Sequence, residues 1–259
     1  MFTKNMYTEV IPERIFALCK LVEKGSISKL EAKEKMEPHF LNSTNNYFQV
    51  YLTTARELGL IAELDGNLSL IADKEKIKNM NMFRRYVISK LETFKDGYFY
   101  KVTEEYSKNG LNLCKEYVNI AESASYFSKA INEKVVENDL RAWRFWASFL
   151  GFGYLHNMNM IPNADIFLWE IIKLKKIEMK KLYPIRSFID ELRPYCNILI
   201  NPESKSKELN IDVSNGLRTL HDQRKIHMQK IDDFQDVWTM DQLDKHFINR
   251  AVTHVEILK

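Results

Sequence analysis

The stretch that most constrains this chain runs from residue 42 to 72, NSTNNYFQVYLTTARELGLIAELDGNLSLIA. It opens on a polar run, Asn42-Ser43-Thr44-Asn45-Asn46, whose short side-chain oxygens can accept the unpaired N–H groups of a helix's first turn. Phe48, Leu52, Ala55 and Leu58 then recur at helical spacing, which predicts one apolar face. Gly59 follows, the residue type that best tolerates the left-handed conformation closing a helix. Two short strand-like runs come next, Leu60 to Leu64 and Asn67 to Ile71, linked by Asp65-Gly66. A two-residue Asp-Gly link between apolar runs signals a hairpin, because both positions accept positive φ.

Upstream, Ile15, Phe16, Leu18, Cys19 and Val22 line one face of an expected helix that Pro12 opens and Gly25 ends. Ser26-Ile27-Ser28 reads as a short strand or as the cap of the next helix, Lys29 to Met36, which Pro38 terminates. Helix, short link, helix, turn, helix and hairpin form the order of a winged helix across residues 10–73, in an expected first domain of residues 1–79.

Residues 80–178 are expected to form a helical middle domain. Lys74 to Leu91 reads as one helix, Asp96-Gly97 as a break, and Tyr98 to Tyr106 and Leu111 to Ala121 as shorter helices. Tyr98, Phe99 and Tyr100 have ring faces able to stack on bases, but burial in a helical bundle explains them better; Tyr126-Phe127 receives the same reading. The opening pattern then recurs. ASFLGFG (Ala147–Gly153) aligns with ARELGLI (Ala55–Ile61), and residues 154–161 can form a small hairpin across Asn157, which suggests an internal duplication. A third copy is expected in residues 179–259. It has a helix from Ile185 to Leu192 stopped by Pro194, a helix from Val213 to Gln223, and a strand at 225–228 with which 234–240 and 252–257 can pair. There Arg224 stands where Gly59 and Gly151 stand. Between the copies, KLKKIEMKK (Lys173–Lys181) is a solvated face or linker before it is a phosphate-touching edge. The expected fold class is therefore mainly α with small β-hairpins, as tandem winged-helix units joined by a helical middle region.

No recognisable catalytic constellation stands out. The chain has no phosphate-binding Gly-rich loop, no HExxH and no paired CxxC, and Gly151-Phe152-Gly153 falls at a helix end where dinucleotide binding needs a helix start. His221 and His227 lie six apart across a helix end and are not expected to share a helical face. The acidic group Asp232, Asp233, Asp236 and Asp241 reads as a solvated loop. The three cysteines, Cys19, Cys114 and Cys196, match no zinc spacing and are expected to be reduced and buried. No enzymatic activity, metal or cofactor is expected. With no 18-residue apolar run and no apolar core in MFTKNMYTEV, a cytoplasmic protein without a membrane partner is expected.

If the first unit docks duplex DNA, its third helix enters the major groove and its wing meets the phosphates. The exposed positions expected there are Asn42, Ser43, Thr44, Asn45, Asn46, Gln49, Thr53 and Arg56, with Lys29, Lys33 and Lys35 touching backbone from the preceding helix. Against this, residues 1–79 carry 11 Lys/Arg and 11 Asp/Glu, whereas DNA-binding domains are usually basic. A plain polar surface accounts for the same residues. A protein-docking module is the other reading, with aromatics such as Trp143, Trp146, Phe149, Trp169 and Trp238 as anchors or, for most of them, core.

The run RAWRFWASFLGFGYLH followed by Ile161-Pro162, and the C-terminal VSNGLRTLHDQRKIHM…VTHVEI behind an N-terminal winged helix, resemble accessory proteins of bacterial anti-phage defence operons. These include the G component of the deazapurine-in-DNA (Dpd) system and subunits that accompany SMC-like ATPases or nucleases. That resemblance implies a non-catalytic, DNA-binding or assembly subunit whose partners are double-stranded DNA and an ATPase or nuclease. The alternative is a stand-alone winged-helix transcriptional regulator.

Overall fold

Pro12 supplies the fixed φ that starts α1 (Pro12–Glu23), whose Ile15, Leu18, Cys19 and Val22 face inward. The computed structural model describes residues 1–40, 47–116, 119–157, 159–200, 206–248 and 250–259. Both readings of residues 26–28 hold: Ile27–Ser28 is a strand, β1, and the Ser28 hydroxyl accepts the Glu31 N–H at 3.1 Å to cap α2 (Lys29–Met36). At the start of α3 (Phe48–Glu57), the Glu37 carboxylate, one helix away, accepts the N–H groups of Tyr47 and Phe48 at 3.0 Å each. The expected caps at residues 42–46 lie outside the described residues. The hairpin forms as expected: β2 (Ile61–Leu64) pairs with β3 (Asn67–Leu70), with Asp65 and Gly66 at φ 49° and 72°. β1 adds to the far side of β3, giving the order β1-β3-β2.

The middle region departs from expectation in its breaks. Lys74 to Leu91 divides into a 3-10 turn, Lys74–Ile77, and α4 (Met80–Lys90), because the Asn79 side chain accepts the Met82 N–H and starts a new helix. Conversely, α5 (Tyr98–Glu116) is one helix running through Gly110. A Cβ at Gly110 would lie 3.0 Å from Pro162 Cγ and 3.1 Å from the Tyr106 ring, so this glycine serves a close approach and not a break. α6 (Ile120–Ala130) and α7 (Glu137–Leu150) follow, and then the hairpin across Asn157, β4 (Gly153–His156) with β5 (Asn159–Pro162).

The last third comprises α8 (Asp165–Lys175), β6 (Leu182–Pro184), α9 (Ile185–Cys196), α10 (Ile211–Asp222) and β7 (Ile226–Gln229), then β8 (Trp238–Thr239), β9 (Ala251–Val252) and β10 (His254–Ile257). Pro194 does not stop α9. The bond it forgoes leaves the Asp190 carbonyl on an exposed turn, and buried Leu192 and Cys196 hold the helix on either side. The expected pairing of 234–240 with 225–228 is also corrected. β10 pairs with β7, whereas β8 pairs with β9 as a separate ribbon. The chain changes ribbon at Thr253, whose N–H donates to Gln229 O and whose carbonyl accepts the Ile185 N–H.

Three times, then, a helix ends in a left-handed residue and passes into a hairpin strand. Gly59, Gly151 and Arg224 have φ of 66°, 90° and 55°. The residue after each donates its N–H five residues back, Leu60 to Ala55, Phe152 to Ala147 and Lys225 to Leu220, at 2.9–3.0 Å. The first and last units share more. Each runs helix, strand, helix, helix, strand and closing strand, the last with β8 and β9 inserted before its closing strand, and the sheet order β6-β10-β7 repeats β1-β3-β2. The middle unit's sheet has two strands only.

The molecule is mainly helical, 52% helix, with small antiparallel sheets. Its buried side chains form one continuous cluster. Phe2, Phe83, Phe99 and Trp146 are at its centre, the Phe2 ring meeting Trp146 edge-on at 5.0 Å. Tyr98, Phe99, Tyr100 and Phe127 are buried in this cluster, as are Trp143, Trp146 and Trp238, while Phe149 and Trp169 are partly buried against it. Cys19 and Cys196 are buried free thiols. Among the described residues, no helix is long and apolar enough to cross a membrane.

Candidate nucleic-acid interface

α3 buries Phe48, Tyr51, Leu52 and Ala55 against α1 and its own hairpin, which leaves Gln49, Thr53 and Arg56 exposed. Their spacing of four and three puts them on one stripe of the helix. Thr53 Oγ1 donates to Gln49 O at 2.9 Å, and the Gln49 amide reaches Thr53 Oγ1 at 3.4 Å. Tyr51, on the inward side, accepts a hydrogen bond from Arg14 at 2.8 Å, and burial foremost raises its pKa. Ser43, Thr44, Asn45 and Asn46, with Asn42, lie outside the described residues.

Of the α2 lysines expected to touch backbone, Lys29, Lys33 and Lys35, two are already paired. Lys35 Nζ lies 2.7 Å from Glu31, one helical turn away. Lys29 Nζ lies 3.3 Å from both oxygens of Glu63, and Arg56 Nη2 donates to the same carboxylate. Lys33, half-buried, makes no ion pair among the described residues. Glu63 is not among the residues expected at the interface. The signal for it was the two-residue strand period: Glu63 shares its face with buried Ile61, which looks toward the helices. Glu37, which caps α3, was missed because it lies ten residues away across the turn. The near-zero net charge of residues 1–79 thus has a local counterpart, since cations at the predicted interface are matched by nearby carboxylates.

The lysine-rich stretch, which begins in the last turn of α8 and continues beyond it, is paired with carboxylates: Lys173 with Glu170 (3.8 Å), Lys175 with Glu191 (3.4 Å) and Lys181 with Glu178 (3.2 Å). His221 on α10 and His227 on β7 share no helical face, as expected, yet they meet in space. The left-handed turn at Arg224 folds β7 back over the last turn of α10, so the His221 and His227 rings stand 5.3 Å apart, with His246 6.3 Å from His221. His221 Nδ1 accepts the Met228 N–H at 3.0 Å, and His246 Nε2 lies 3.1 Å from Asp222. Burial foremost, then the neighbouring histidines, pushes the His221 pKa down. Among the described residues, no three His, Cys, Asp or Glu side chains are grouped so as to hold a metal ion. Asp236 is likewise not a free loop carboxylate: Arg186 Nε at 2.9 Å and Lys207 Nζ at 2.7 Å hold it, and its pKa falls to about 2. The chain matches no protein-family model, and neither a curated protein nor a solved structure matches it.

Proposed function

We propose that this chain is a non-catalytic subunit that docks on double-stranded DNA through a winged helix at residues 10–73. It assembles with an SMC-like ATPase or a nuclease in a bacterial defence complex, as the resemblance of its sequence implies. The observation that carries the reading is the placement of α3. Gln49, Thr53 and Arg56 lie along its exposed stripe, and Arg56 meets Lys29 of α2 at Glu63 of the hairpin, in the helix and strand order that winged helices use to present a reading helix. Gln can bond an adenine edge bidentately, Thr a phosphate, and Arg either. The ion pairs to Glu63 and Glu31 limit the charge available, so affinity is expected to be modest and strongly salt-dependent. A gel shift with the full chain at about 50 mM salt tests this, since phosphate contacts are strongest there. A retarded band that the Lys33→Glu/Arg56→Glu variant loses supports the reading; no band in the wild type refutes it.

A protein-docking role for the same unit has its own support. Leu30 at the start of α2 and Leu64 at the wing turn are 78% and 73% exposed. Under that reading a native-host pulldown recovers a stoichiometric partner whose binding the Leu30→Glu/Leu64→Glu variant abolishes and salt barely alters. A stand-alone regulator would instead behave as a ligand-responsive or dimeric protein in size-exclusion mass measurement.

A further inference from the structure

We propose that Glu63 is a built-in competitor for duplex DNA: its carboxylate occupies Lys29 and Arg56 in the free protein, and a backbone phosphate must replace it there. This rests on the reading of residues 10–73 as a DNA-docking unit. One carboxylate joins three elements, since Lys29 is the first residue of α2, Arg56 lies in the last turn of α3, and Glu63 is on β2. The side chains of Lys29 and Arg56 are 37% and 38% exposed and that of Glu63 only 19%, so the carboxylate is the more enclosed partner and both cations reach solvent. An approaching phosphate therefore meets the cations. Ion pairs that reach solvent on both cations hold weakly, so the exchange is energetically accessible. The remaining carboxylate nevertheless lowers the field that the phosphate enters.

The other acidic groups nearby do not share this position. Glu31 is taken by Lys35, Glu57 turns to the Thr3 hydroxyl and the Met1 amine, and Asp65 lies in the hairpin turn. Nor does the frame depend on Glu63. The Lys29 N–H donates to Gly66 O at 2.8 Å, and both strand ladders of the sheet are backbone bonds. Removing the charge should therefore free two cations and leave their positions unchanged.

The test measures the binding of a fluorescent duplex to the full-length wild type, Glu63→Gln and Glu63→Gln/Arg56→Gln across a salt series. A melting temperature within a few degrees of wild type certifies that each variant is folded. Glu63→Gln is expected to bind about tenfold more tightly at low salt and to steepen the log–log salt slope by about one to two phosphate contacts, and the second substitution should cancel most of the gain. A wild type that binds with an affinity and slope unchanged by Glu63→Gln overturns the competitor role and leaves the DNA reading standing. If no variant binds, the DNA reading fails and the competitor role falls with it. An equal gain for a poly-glutamate peptide also overturns the proposal, because the exchange would then be with acidic side chains.

Discussion

The first and last units share their sheet order and, apart from the inserted β8 and β9, their element order, yet they treat their third helix in opposite ways. Superposing the left-handed residues Gly59 and Arg224 places Gln49, Thr53 and Arg56 of α3 opposite Ser214, Arg218 and His221 of α10. The α3 stripe is open. The α10 stripe is covered by the unit's own chain, because the tight Asp65-Gly66 turn of the first hairpin is replaced by the excursion 230–253, which folds back over the helix. Ser214 Oγ accepts the Asp241 N–H at 2.9 Å, Arg218 Nε donates to Ile248 O at 2.9 Å, and His221 accepts from Met228. A carboxylate bridges each unit as well, Glu63 to Lys29 and Arg56 in one, Asp236 to Arg186 and Lys207 in the other. The same framework thus leaves a polar helix stripe exposed or bonds it to its own chain, according to the length of its hairpin loop. A polar stripe left open is available to a partner, whereas one bonded to its own chain contributes to stability.

That contrast is sharpest at Asp212 on α10, which has no counterpart on the exposed side of α3. Both carboxylate oxygens are buried without a hydrogen bond among the described residues, and burial raises the pKa to about 7, with the nearby Ser107 hydroxyl acting in the other direction. A raised folded-state pKa means that stability is fully present below the unfolded value and is lost as pH rises through the folded one. Wild type should thus lose about 4 kcal/mol relative to Asp212→Asn between about pH 4 and pH 8, as measured by urea denaturation. Parallel profiles would place the carboxylate in a solvated site and weaken the picture of α10 as core.

Next in size is Arg218→Ala, which strips the partner from two carbonyls of the excursion and should cost about 2–3 kcal/mol by the same assay. Its counterpart Thr53→Ala is expected to stay within about 0.5 kcal/mol of wild type, so the pair compares the two stripes directly. A smaller effect belongs to His221, whose folded-state pKa is depressed. Its contribution is present above the unfolded histidine value and is lost as pH falls through the lower folded one, because protonation of Nδ1 breaks the bond from Met228. His221→Gln should flatten the mildly acidic part of the stability profile; an unchanged acid limb would show that the histidine cluster carries no linkage.

Local chemistry made much of the framework legible. The Asp-Gly hairpin, the glycine-closed helices and the aromatic core follow from positive-φ tolerance and period 3.6; Arg224, a departure from the glycine pattern, nevertheless takes the left-handed position at φ 55°. What was hidden depends on contacts distant in sequence. The two helices expected at 98–106 and 111–121 merge through Gly110, against which Pro162 packs, and Pro194 looks like a stop until Cys196 is seen anchored beyond it. The interface was legible only in part. Gln49, Thr53 and Arg56 could be placed on one stripe by counting, but the pairing of Lys29 and Arg56 through Glu63 required the fold of the hairpin onto two helices.

If the open stripe of the first unit docks duplex DNA, as proposed, its covered counterpart on α10 does not. Hydrogen exchange of the full chain with and without a saturating duplex at low salt tests it most directly. The account predicts slowed exchange at 48–57 and 61–70, with 211–222 unchanged. Protection confined to α10 or the excursion, or none at α3 while the duplex is bound, would contradict it.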